Sequence, residues 1–149
     1  MIDYSMKALS AEELSFEVNR IQATPETRFA IKPVFSRRIR QANENPEINF
    51  VTLECSIKST EEEPKPFNIT VRMAGVFEVK NMKTDEDKRF FALNATETMF
   101  PFVRAAVANL TAAALINPLI LPVISGATLF PEDRGGSQYT LNIDPKIVN

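Results

Sequence analysis

Residues 94–130, NATETMFPFVRAAVANLTAAALINPLILPVISGATLF, decide how the rest is read, because they carry more apolar surface than a domain of 149 residues needs for its own interior. The first half, residues 96–115, is rich in Ala and Leu and has no Gly, and Pro101 falls near its start, where a missing N–H costs little. The pattern predicts a helix. Asn94 or Thr96 would cap it, and Glu97 would complement the dipole in its first turn. Met99, Phe102, Val103, Ala106, Val107, Leu110 and Ala114 recur at helical steps, yet Phe100, Ala105, Ala108 and Ala112 occupy much of the opposite side. A helix apolar on nearly all sides must be covered twice, once by a sheet of its own chain and once by a second copy of the protein. The other reading is a helix wholly buried in one domain.

In the second half, residues 116–130, Pro118 and Pro122 forbid a regular helix while Leu119, Ile120, Leu121, Val123 and Ile124 remain apolar. Such a strip is either tucked into the core or part of an apolar surface offered to a ligand.

Upstream lies the sheet on which the helix packs. Leu14, Phe16 and Val18 alternate with Ser15, Glu17 and Asn19, the pattern of a half-buried strand, and residues 1–13 read as a loose arm or a short turn of helix. Pro25 and Pro33 then interrupt, so residues 29–39, FAIKPVFSRRI, read as an irregular crossing segment that lays Ile31, Val34 and Phe35 on apolar surface. Arg37, Arg38 and Arg40 either hold a carboxylate or phosphate together or form a solvated basic turn. Residues 48–59 give the second long strand, with Val51, Leu53, Cys55 and Ile57 on one face, so Cys55 reads as a small buried apolar residue. Residues 61–66 form a charged, proline-bearing loop. From Phe67 the alternation resumes through Ile69, Val71 and Met73 until Gly75 breaks the phase, which suggests a bulge or a close backbone approach. Residues 76–80 continue the sheet, residues 81–88 read as a polar link, and residues 89–93 as a short approach to the helix. Strands joined without intervening helices should pair antiparallel with the helices on one face, and residues 139–143 offer an extra strand.

Composition bounds the function. With 44% hydrophobic and 24% charged residues the chain reads as one globular domain, with its core over residues 14–130 and residues 1–13 and 131–149 peripheral. A net charge of −2 argues against nucleic acid as the main partner. Cys55 stands alone, so no intramolecular disulfide forms, and no secretory signal or bilayer-spanning run is legible, which makes the cytoplasm the expected compartment. The absence of His excludes Ser-His and Cys-His nucleophilic sites and ordinary zinc sites.

Several of these residues together resemble a family. Phe100, Pro101, Phe102, Val103 and Arg104, then an alanine-rich helix, then Pro118 to Val123 and Ala127, Thr128, Leu129 and Phe130, are similar to the SecB export chaperones, whose pattern is F-P-Y-x-R, a helix, a proline- and leucine-rich loop and a closing A-L-F. Residues 15–21, SFEVNRI, and 74–77, AGVF, fall where that family has its first strand and a G-G-I-F turn, so the resemblance spans about residues 14–130. It implies an α+β fold, a four-stranded antiparallel sheet with one long and one short helix on one face. It also implies an ATP-independent holding chaperone in protein export, a dimer of dimers that grips unfolded or precursor polypeptides in apolar grooves and needs no nucleotide, metal or other cofactor. By position, client contacts would fall at Val34, Phe35, Phe67, Ile69, Val71, Leu119, Leu121, Val123, Leu129 and Phe130. The oligomer interface would fall at Phe102, Ala106, Val107 and Leu110.

The family hands clients to the SecA motor through acidic residues. The counterpart of one of them is Thr70 here, only Glu26 follows the first strand, and no acidic tail closes the chain, so the resemblance implies holding more directly than handover. Relatives that guard antitoxins of toxin-antitoxin systems give an alternative. A reading from another class is a protein that binds a small apolar ligand, or an enzyme, with Glu54, Glu78 or Glu97 as a base in an apolar pocket.

Overall fold

The computed structural model describes residues 2–20, 29–122, 129–130, 137–138 and 141–143. Their elements are β1 (Asp3–Val18), β2 (Phe29–Ile31), β3 (Val34–Gln41), β4 (Ile48–Ile57), β5 (Phe67–Lys80), α1 (Asp85–Ala113), β6 (Ser137–Gln138) and β7 (Leu141–Ile143). Four long strands pair antiparallel in the order β1-β5-β4-β3, and the two-residue β6 adds to the β3 edge at Val34 and Phe35. The helix packs on the face of β5, β4 and β1. The α+β architecture expected from the sequence is therefore present, with every long strand antiparallel to its neighbours. The expected short second helix falls mostly outside the described residues, as do the first two of the five residues of the strand expected over residues 139–143, whose described part is β7 paired with β2.

The period-2 pattern is cleanest in the two central strands. Val51, Leu53, Cys55 and Ile57 of β4 are all buried beneath the helix, and so are Phe67, Ile69, Val71, Met73, Phe77 and Val79 of β5. Gly75 does not break this phase. It stays on the inward face, in register with Leu9 and Val51, and leaves room for the Met99 side chain of α1. The close approach inferred there is real, whereas the register shifts lie in β1, between Met6 and Ala8 and between Ala11 and Glu13.

Three local expectations are corrected. Residues 3–13 are not an arm: they are the first part of β1, which runs the full length of β5. Residues 34–41 are not an irregular crossing but a regular strand, because Pro33 interrupts only once and leaves β2 before it and β3 after it. The helix begins at Asp85, not near residue 96. Thr84 has extended backbone and its hydroxyl accepts from Asp87 N at 3.0 Å, while the Asp87 carboxylate accepts from Thr84 N at 3.1 Å, a reciprocal capping box. Pro101 consequently sits mid-helix. The helix ends at Ala113, and Leu115 turns the chain away with a positive φ of 63°.

Candidate functional site

The proline-flanked strip after α1 reads differently from an open apolar lining. Leu119 and Leu121 are buried, whereas Ile120 between them is 60% exposed, the alternation of an extended segment laid on a core. Two hydrogen bonds tie it to the helix: Leu119 N donates to Thr111 Oγ1 at 2.8 Å, and Arg104 Nε donates to Leu121 O at 2.6 Å. Of the other positions assigned to client contact, Phe35, Phe67, Ile69, Val71, Leu129 and Phe130 are interior residues of the subunit, and Val34 is 37% exposed on the β3 edge. Val123 lies outside the described residues. Among the described residues of this set, the structure gathers all but Val34 into one core.

The open apolar surface lies elsewhere. A groove of about 520 Å3 runs between β1 and α1, lined by Leu9, Leu14, Met73, Phe102, Ala106 and Leu110, with Ala105, Asn109 and Ala113 along its rim. Leu14 is 50% and Phe102 44% exposed. Three of the four residues expected at an oligomer interface, Phe102, Ala106 and Leu110, line this groove. The fourth, Val107, is turned into the subunit's own core, one helical step away from them, and is fully buried. Leu9, Leu14 and Met73 were not singled out as partners of the helix face. For Leu9 the signal was weak because the bulges of β1 hide which side its residues 3–13 present, whereas Leu14 and Met73 were legible as strand positions without showing that they face α1.

Strand geometry also separates the three arginines. Arg37 points to the helix side, where its guanidinium donates to Thr96 Oγ1 at 3.0 Å and to Ala92 O at 3.4 Å and stacks 4.6 Å above the Phe130 ring. Arg38 and Arg40 alternate to the outer face, with Arg40 over the Phe50 ring at 4.7 Å. Neither a three-armed anion clamp nor a basic turn forms. On the same outer face Arg72 joins Glu54 at 3.1 Å and Glu13 at 2.6 Å, so both carboxylates are neutralised by a guanidinium between them.

The carboxylates weighed as bases are not brought together. Glu54 is held by Arg72, Glu78 lies 3.9 Å from Lys80, and Glu97 is exposed on α1. None of them lines the apolar groove. Cys55 is buried, and its thiol is pushed up to about 12, first by burial and then by the charge of Glu54. It is a packing residue, not a nucleophile. Among the described residues no group of three or more His, Cys, Asp or Glu side chains is arranged to hold a metal, and no helix is long and apolar enough to cross a membrane.

Comparison with known proteins adds to this geometry. The family described as preprotein translocase subunit SecB matches residues 3–135. An uncharacterized protein of Methanocaldococcus jannaschii is 37% identical over 90 residues, which cover 57% of this chain and 56% of that protein. The protein-export protein SecB of Anaplasma marginale is 29% identical over 135 residues, 89% of this chain and 71% of that protein. Among solved structures, a SecB-like chaperone of Mycobacterium tuberculosis in complex with a ChAD peptide from an antitoxin superposes with a TM-score of 0.66 at 15% identity. That alignment covers 82% of this chain and 91% of the other, a likeness of fold.

Proposed function

This chain belongs to the SecB family, and from that premise we propose that it is a holding chaperone for unfolded or precursor polypeptides in protein export, working as a homo-oligomer without nucleotide and without catalysis. The single observation that carries this reading is the open groove between β1 and α1, whose Leu14 and Phe102 are half-exposed beside Met73, Ala106 and Leu110. Apolar surface of that kind on a lone subunit favours association, because removing it from water is worth roughly 25 cal/mol per Å2 whatever the partner's sequence. Self-assembly through Phe102, Ala106 and Leu110 uses this face, with Val107 supporting the helix from beneath.

Client contact belongs to the other side of α1, where the strip is bonded to Arg104 and Thr111, and to the β3 edge. Val34 and Ile120 are the apolar side chains a client meets first. Leu119 and Leu121 join when their segment lifts from α1 by breaking the bonds to Thr111 and Arg104, with Val123, Leu129, Phe130, Phe35, Phe67, Ile69 and Val71 as the further contacts of this reading. Hydrophobic association is non-directional, which suits a holder of many sequences. Handover to SecA is not part of this reading, since Glu13 and Glu54 of the outer sheet face are already occupied by Arg72.

Native mass measurement in the presence of reduced, unfolded α-lactalbumin tests the proposal. An oligomer that gains the mass of an unfolded chain, with Ile120→Asp weakening that gain while leaving the oligomer intact, is the expected result. A single chain that gains nothing would sink it.

A further inference from the structure

A second pocket lies away from the groove and the strip, between the first turns of α1 and the ends of β3 and β4, with a volume of about 370 Å3. Ile39, Met82 and Phe91 give it apolar walls, and Asn49, Lys88 and Arg89 are polar groups on its lining. Asn49 is 1% exposed, and its Oδ1 has no hydrogen-bond partner among the described residues. Because Asn49 Nδ2 donates to Glu47 O at 3.5 Å, the atom left over is the acceptor. A buried acceptor without a donor is destabilising, so such a group in a pocket wall points to a donor supplied from outside the chain. Lys88 and Arg89 are exposed and have no ion pair among the described residues. Arg37, which also borders the pocket, is occupied by Thr96, Ala92 and Phe130.

The occupant must therefore bring three things together: an N–H or O–H donor for Asn49, an apolar body for the walls, and a negative charge for Lys88 and Arg89. The volume is at the small end of ligand pockets, room for a residue or two and not for a folded partner. We propose that this pocket binds the C-terminal residue of a polypeptide that ends on an apolar side chain. Its backbone N–H meets Asn49 Oδ1, its side chain fills the space between Met82 and Phe91, and its α-carboxylate pairs with Lys88 and Arg89. A terminal residue offers donor and carboxylate on its backbone and so leaves its whole side chain free to be apolar, which an internal Asp or Glu does not.

The test titrates the full-length 15N-labelled protein with three probes: acetyl-Ala-Ala-Leu as the free acid, the same peptide as the C-terminal amide, and acetyl-Ala-Ala-Lys as the free acid. The expected result is that the leucine acid shifts the Asn49 side-chain amide signals and binds at least tenfold tighter than either of the others. The double variant Lys88→Gln/Arg89→Gln, at exposed positions, should lose that preference while retaining the parent's far-UV circular dichroism and its gain of unfolded α-lactalbumin. Equal binding of acid and amide, Asn49 signals that no probe moves, or a preference that survives in the double variant would each overturn the proposal. None of these outcomes bears on polypeptide holding, which the α-lactalbumin measurement reads separately.

Discussion

A methyl group on Gly75 would stand 3.0 Å from Phe77 Cε1 and 3.1 Å from Met99 Sδ, closer than side chains ordinarily approach. Only glycine therefore lets β5 pass directly beneath the middle of α1. The obstacles differ in kind, since the thioether of Met99 ends a flexible chain and the Phe77 ring is fully buried and packed edge-on against Phe91 at 5.4 Å. Gly75→Ala is expected to destabilise the subunit by about 1–3 kcal/mol, the usual range for overpacking, as read from the urea midpoint at unchanged slope. An unchanged midpoint would mean that helix and sheet separate freely at this point. The same inward face explains Cys55, whose burial between neighbours such as Leu53 and Ile57 leaves no route for the thiolate to form at neutral pH.

At the level of elements, the start of α1 makes a prediction with a defined sign. Asp87 accepts from the backbone N–H of Lys83 and of Thr84, and these bonds hold its carboxyl below the usual carboxylate range. A group with a depressed folded pKa stabilises above its unfolded value, near 3.9 for Asp, and that contribution is lost as pH falls through the folded pKa. Asp87→Asn should therefore flatten the acid side of the stability profile below about pH 4, and Thr84→Ala should cost about 0.5–2 kcal/mol at neutral pH, both followed by thermal melts at a series of pH values. A parent profile matching that of Asp87→Asn would show that the box is not formed. This cap also illustrates how far the elements were legible in the sequence. The four-residue pattern from Thr84 to Asp87 is a helix start, but the alanine-rich run from residue 96 is the stronger signal and masks the polar turns before it. β4 and β5 were legible because a strand covered on one side by a helix must alternate, and theirs do so with Thr70 of β5, buried on the other face, as the exception. The first half of β1 was not, because the register shift after Met6 moves the partly buried positions from Tyr4 and Met6 to Leu9 and spoils the period. In the candidate site, the outward helix face of Phe102, Ala106 and Leu110 was readable from helical spacing. The burial of alternate residues in the strip was not, since prolines mark the end of a helix without saying which side the extended chain then presents.

For the whole molecule, the decisive contrast is between two neighbours on α1. Phe102 is half-exposed in the groove with Leu14, and Val107 is sealed against the sheet, so substitutions at the two sites should separate assembly from folding. Phe102→Lys puts a charge where, in the proposed assembly, a second copy would exclude water, and an unpaired charge in an interface centre costs several kcal/mol of association. In a lone subunit the same lysine reaches solvent and costs little. The expected outcome is a shift of native mass toward the single chain, with loss of the dependence of Tm on protein concentration that assembly confers. Val107→Ala removes two buried carbons from the core and should lower the subunit's own stability by about 2 kcal/mol while leaving the distribution of masses as it was. If instead Phe102→Lys leaves the parent's mass and its Tm dependence untouched, the groove between β1 and α1 is not where copies of this chain meet, and the half-exposed Leu14 and Phe102 must serve a partner of another kind.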